Sequence, residues 1–194
     1  MSKGRLEAFS DAVIAIIMTI MVLELRPPEG TDLAALQPLA PVFLAYLLSF
    51  VYLAIYWVNH HHLLQATQRV TGGILWANIA LLFWLSLLPF ATSWIGEHRG
   101  ALVPTLVYGL VLLADAISYF ILQVVIVRAQ GPDSQVAVAL GRDLKGKASL
   151  VLYVTALVVA FVSTVVAIAI FVVVAIMWLV PDRRIERMMN ATGA

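Results

Sequence analysis

Cysteine is absent from the 194 residues, which excludes disulfides, a thiolate nucleophile and any Cys-ligated metal or redox centre. Charge is nearly as scarce. Asp, Glu, Lys and Arg make up 12% of the chain, about half of the roughly 25% that a soluble domain carries. Gly-x-Ser-x-Gly and His-Glu-x-x-His arrangements are missing, so hydrolytic chemistry has no motif to rest on and an enzyme is not expected. The chain has no internal repeat, no low-complexity tract and no polar segment long enough for a soluble module. A nucleic-acid partner and a cofactor are therefore not expected either.

What remains is apolar: 62% of residues are hydrophobic and the mean hydropathy is +0.97. Such a chain reads as a single all-α, polytopic membrane domain over residues 1–194. A helix crossing the roughly 30 Å hydrocarbon core needs about 20 mostly apolar residues. Spans are expected at about 5–25, 39–65, 72–95 and 101–128. The first follows Lys3 and Arg5 like a secretory signal. Asp11 interrupts it, however, and Glu24-Leu25-Arg26-Pro27-Pro28 stands where a small-residue cleavage site would be, so it is read as a retained helix. Pro89 is expected to kink the third span near its end, and Pro104 fits the first turn of the fourth.

Ala148 to Pro181 runs for 34 residues without a charge. As one helix it would reach about 50 Å at 1.5 Å per residue, more than one crossing can use. Two short helices, about 147–163 and 165–181, turning near Ser163-Thr164, are the better division. The distribution of Lys and Arg favours the same count. Six spans put Lys3, Arg5, Arg69, Arg128, Arg142, Lys145, Lys147, Arg183, Arg184 and Arg187 on the cytoplasmic side, leaving Arg26 and Arg99 outside, ten against two, whereas five spans give seven against five. Both termini are then cytoplasmic, and residues 129–147 form a solvated cytoplasmic loop.

Charged groups within a span cost at least about 2.5 kcal/mol, so they turn toward protein or water. The first helix carries Arg5, Ser10, Asp11, Thr19 and Glu24. Ile16, Ile20 and Leu23 share one stripe at i, i+4 and i+7 with Thr19 beside it, and Asp11 points about 140° away from Ile16. Helix one begins and helix two ends on the same side, so Asp11 and its neighbours can meet Trp57, Asn59, His60, His61 and His62. A polar network locking the two helices is expected. Three consecutive histidines diverge by about 100° per residue on a helix, so a shared metal ion is not expected. Asp115, near Tyr108, Ser118 and Tyr119, is an acid deep in the fourth span whose partner the sequence does not name.

Arg5-Leu6-Glu7-Ala8-Phe9-Ser10-Asp11, followed by Ala15-Ile16, Thr19 and Val22-Leu23-Glu24-Leu25, resembles the R-x-x-x-F-S-D first-helix signature of the transmembrane protein 175 family of potassium channels. Tyr56-Trp57-Val58-Asn59-His60-His61, Leu88-Pro89-Phe90-Ala91-Thr92 and Trp178-Leu179-Val180-Pro181-Asp182-Arg183-Arg184 are similar to its second helix end, its third helix and its C-terminal boundary. The resemblance implies a prokaryotic inner-membrane channel for potassium and other monovalent cations, six helices per subunit, assembled as a homotetramer with helix one lining a central pore. Carried over, the constriction would be Ile16, Ile20 and Leu23 with a polar ring at Thr19, supported by Arg5, Phe9, Ser10, Asp11, Trp57, Asn59 and His61. There is no Thr-Val-Gly-Tyr-Gly loop, so selectivity would arise from pore width, dehydration and the Thr19 hydroxyls. The rival reading is a proton-coupled secondary transporter titrating Asp11, Asp115 and a histidine. Against it, no repeat and no matching pair of broken helices is evident.

Overall fold

The structure, a computed structural model, describes residues 2–132, 134–140 and 143–179. Arg142, the end of the last expected helix at 180–181, and Arg183, Arg184 and Arg187 lie outside the described residues. Among those described, every regular element is helical: α1 (Lys3–Leu23), a 3-10 segment (Leu33–Leu39), α2 (Ala40–Gln65), α3 (Gly72–Ser86), α4 (Leu88–Glu97), α5 (Leu102–Gln130), α6 (Gln135–Leu140), α7 (Leu144–Ala160) and α8 (Thr164–Leu179). The short α6 falls within the segment read above as a solvated loop.

Local chemistry sets the boundaries. α1 stops ahead of Pro27-Pro28, which cannot supply the next backbone donors. Asp32 opens the 3-10 segment by accepting from Ala35 N at 3.1 Å, and Thr71 caps α3 by accepting from Ile74 N at 3.4 Å. The third span is interrupted where a Pro89 kink is expected: at Leu87 it passes from a 15-residue α3 to a 10-residue α4, with Pro89 in the first turn of α4. Pro89 has no N–H for the carbonyl four residues back, and Leu87 N bonds Trp84 O at 3.0 Å in the tighter i−3 pattern.

The apolar 148–181 stretch divides at 161–163. Ser163 N closes the end of α7 on Val159 O at 2.8 Å, and Ser163 Oγ accepts from Val166 N at 3.4 Å at the start of α8. The two helices double back as a hairpin of 17 and 16 residues. Among the described residues, four helical stretches are long and apolar enough to cross a membrane: Lys3–Leu23, Leu33–Gln65, Gly72–Glu97 and Leu102–Gln130. Thr164–Leu179 is apolar but shorter.

The core joins α2, α5, α7 and α8 through aromatic side chains. Tyr108 and Phe171 rings lie 5.6 Å apart, Tyr153 and Phe171 6.3 Å, and Tyr52 and Tyr153 6.5 Å. Tyr52 also donates its hydroxyl proton to Phe171 O at 2.5 Å. This packing requires Gly109, because a Cβ there would meet Phe171 Cζ at 2.7 Å and Leu157 Cδ2 at 2.9 Å. A hydroxyl cluster adds α4 to the assembly: Thr92 Oγ1 donates to Ser49 Oγ at 2.7 Å, and Ser49 Oγ and Tyr108 Oη lie 2.9 Å apart. Every member of the cluster is buried, so each bond also removes an orphan polar group from an apolar interior.

Candidate pore-lining helix and its polar support

α1 has two unlike faces. Leu6, Ile14, Ile17 and Met21 are at most 4% exposed, whereas Ile16, Ile20 and Leu23 are 56%, 42% and 78% exposed. Thr19 is exposed beside them and donates its hydroxyl proton to Ile16 O at 2.8 Å. That bond fixes the rotamer and leaves the hydroxyl oxygen's lone pairs free to accept. Beside the same face runs a groove of about 770 Å³, with Ile16 and Ile20 on one wall and Phe90 and Trp94 on the other.

The buried face is held by a relay of side chains from three helices. His60 of α2 and Asn78 of α3 meet at 2.6 Å between Nε2 and Oδ1. An amide oxygen only accepts, so His60 Nε2 carries the proton and donates. Asn78 Nδ2 donates to Ser10 Oγ at 2.9 Å, and Ser10 donates to Leu6 O at 2.9 Å. His60, Asn78 and Ser10 are all buried. A second tie lies on the more open side, where Trp57 Nε1 donates to Asp11 Oδ1 at 3.0 Å. Lys3 Nζ donates to Gln65 O at 2.5 Å and pairs with Glu7 at 3.8 Å, fastening the start of α1 to the end of α2.

The residues expected in the network separate into three groups. Ser10, Asp11 and Trp57 make interhelical hydrogen bonds. His61 stacks against Trp57 with ring centroids 6.1 Å apart, and Asn59 turns back on its own helix to donate to Ile55 O at 2.8 Å. Arg5 and Phe9 are exposed at the start of α1 and make none of these bonds. One participant escaped the sequence reading, Asn78; His60 is among the residues expected there and is the buried histidine of the three. The available signal was a lone amide inside the otherwise apolar Gly72–Ser86, since an in-span polar group needs a partner. The histidine rings diverge, His60 toward α3 and His61 toward Trp57. Asp115 is fully buried on α5, and neither carboxyl oxygen has a hydrogen-bond partner among the described protein groups.

Long apolar helices, an aromatic core with satisfied hydroxyls and a first helix that leaves an apolar face uncovered define a multi-pass helical membrane protein. The sequence model of the family described as endosomal/lysosomal potassium channel TMEM175 matches residues 5–89. A potassium channel of Chryseobacterium sp. (strain P1-3) is 52% identical over 187 residues, covering 96% of this chain and 97% of that protein. The chain belongs to the TMEM175 family, a family of ion channels and not of enzymes. The crystal structure of a lysosomal potassium-selective channel TMEM175 homolog from Chamaesiphon minutus superposes with a TM-score of 0.82 at 30% identity, covering 93% of this chain and 97% of that one. The human endosomal/lysosomal proton channel TMEM175 is 34% identical over 103 residues, 47% of this chain and 20% of its own length.

Proposed function

We propose that the chain is one subunit of a potassium-permeable cation channel, a homotetramer in which α1 of each copy lines a central pore. Six spans, with α7 and α8 as the fifth and sixth, set both termini on the cytoplasmic side of a prokaryotic inner membrane. The observation that carries the reading is the division of α1: one face is sealed by the subunit, and the other presents Ile16, Ile20 and Leu23 to the outside of it. A lone subunit encloses no pore with that face, so further copies are needed to surround it.

In this arrangement Ile16, Ile20 and Leu23 form successive apolar rings. A cation passing them sheds part of its hydration shell, which a larger, more weakly hydrated ion does at lower cost, and narrow apolar rings can close by dewetting. The Thr19 oxygens, with their protons turned to Ile16 O, offer lone pairs to the ion between those rings. The hydrogen bonds from Asn78 and Trp57 hold α1 in rotation and depth so that its apolar stripe stays on the pore axis. The supporting residues act on permeation through the position of α1, not by touching the ion.

Single-channel recording of the purified protein in a bilayer, with potassium on one side and sodium on the other, tests this. Unitary currents favouring potassium are expected, and Ile20→Asn should raise open probability and lower selectivity by wetting the ring. Saturable uptake in liposomes without unitary current would instead favour a carrier built on Asp11, Asp115 and a histidine.

A further inference from the structure

Away from α1, a second groove of about 610 Å³ runs between α2 and α8 over α5. On α8 its wall is one helical stripe, with Val165, Ile168, Val172, Ile176 and Leu179 recurring at three- and four-residue steps. Leu44, Leu48 and Val51 form the facing wall on α2. The rim residues Leu44, Leu47, Val172 and Ile176 are exposed, so the groove opens sideways from the helical bundle. Tyr108 and Phe171 contribute to its floor, and the Tyr108 hydroxyl is committed to Ser49. The groove therefore presents carbon along nearly its whole length.

Its one charged lining residue is Arg99. Arg99 lies in the connection between α4 and α5, which joins two spans and so sits at the membrane surface. Thr164 Oγ1 at the start of α8 donates to Gly100 O at 3.2 Å, fixing this connection at one end of the groove. No carboxylate pairs with Arg99 among the described residues. Val165 to Leu179 covers 15 residues, 14 rises of 1.5 Å or about 21 Å along the helix axis, which exceeds half of the roughly 30 Å hydrocarbon core. With the α4–α5 connection at the membrane surface, a groove of that length reaches from headgroup level to about the bilayer midplane.

We propose that this groove is a binding site for one anionic phospholipid per subunit, an acyl chain lying between α2 and α8 and the phosphate paired with Arg99. A guanidinium with no carboxylate partner among the described residues, at the mouth of an apolar trough, complements a phosphodiester, which it can hold through two parallel N–H···O bonds. A headgroup without its own cation leaves that pairing uncontested, so phosphatidylglycerol is selected over phosphatidylcholine.

The test is native mass spectrometry of the intact assembly released from nanodiscs holding equal phosphatidylglycerol and phosphatidylcholine. The wild type should retain phosphatidylglycerol several-fold over phosphatidylcholine, with up to one per subunit. Arg99→Gln should bring the two lipids to near equality, Arg99→Lys should keep most of the preference, and Val172→Trp, which fills the trough from its rim, should reduce retention of both. Absence of retained lipid in the wild type, an unchanged preference in Arg99→Gln, or undiminished retention in Val172→Trp would overturn the proposal. So would dissociation of the assembly in Val172→Trp, because the groove would then be a contact between copies of the chain.

Discussion

Asn78→Ala removes the hinge of the relay that seats α1. Two bonds go, the one from His60 Nε2 at 2.6 Å and the one to Ser10 Oγ at 2.9 Å. Ser10 keeps its own bond to Leu6 O, so the serine is not orphaned. His60 is left with a buried donor and no acceptor, and its Nδ1 already has no partner among the described residues. In water-soluble proteins an orphaned buried donor costs about 1–3 kcal/mol. Within a bilayer the unfolded reference also finds partners, and measured interhelical bonds average about 0.6 kcal/mol with a maximum near 1.7. Two bonds therefore predict a loss of about 1–3 kcal/mol. The assay is reversible unfolding in mixed micelles, run as a double-mutant cycle with His60→Ala and Ser10→Ala. Coupling of at least about 0.5 kcal/mol is expected between Asn78 and each neighbour. Additivity within about 0.3 kcal/mol for both pairs would refute the relay.

Trp57→Phe keeps an aromatic ring beside His61 and deletes the donor to Asp11. It should lower stability by about 0.5–1.5 kcal/mol and change gating more than Asn59→Ala, whose amide bonds only its own helix. If Asp11→Asn and Trp57→Phe both left assembly and stability unchanged, the tie between α1 and α2 would carry nothing. Gly109→Ala should destabilise by about 1–3 kcal/mol through overpacking, since the new methyl meets Phe171 and Leu157 inside 3 Å. Gly109→Ala combined with Phe171→Leu should recover part of the loss in a thermal melt.

Much of this architecture was legible in the residues. The stripe of Ile16, Ile20 and Leu23 follows from helical periodicity, and the structure leaves those three side chains exposed while burying the opposite face. The spacing could not say whether an apolar stripe faces lipid, protein or a pore, because all three favour the same residue types. Asp11 and Trp57 could be brought together because α1 starts where α2 ends. Asn78 was illegible for the converse reason: its partners lie 68 and 18 residues away, and depth along α3 depends on where that helix begins. Pro89 signalled a disturbance, but its extent, a break at Leu87, depends on how the preceding turn tightens. The division of the last apolar stretch had no Gly or Pro to mark it and rested on length and charge placement; the structure puts Ser163 at the turn, where its side chain caps α8 as serine does at helix starts.

The central claim, that the exposed face of α1 lines the pore, can be tested without altering the rest of the molecule because the native chain contains no cysteine. Cysteines placed singly at Ile16, Ile20 and Leu23, and as controls at Ile14, Ile17 and Met21, would be exposed to a small cationic thiol reagent during recording of potassium current. Current should fall in steps as each of the first three is modified, more slowly with potassium occupying the pore, and stay unchanged for the three controls. Block at the controls with none at Ile16, Ile20 and Leu23 would contradict the account.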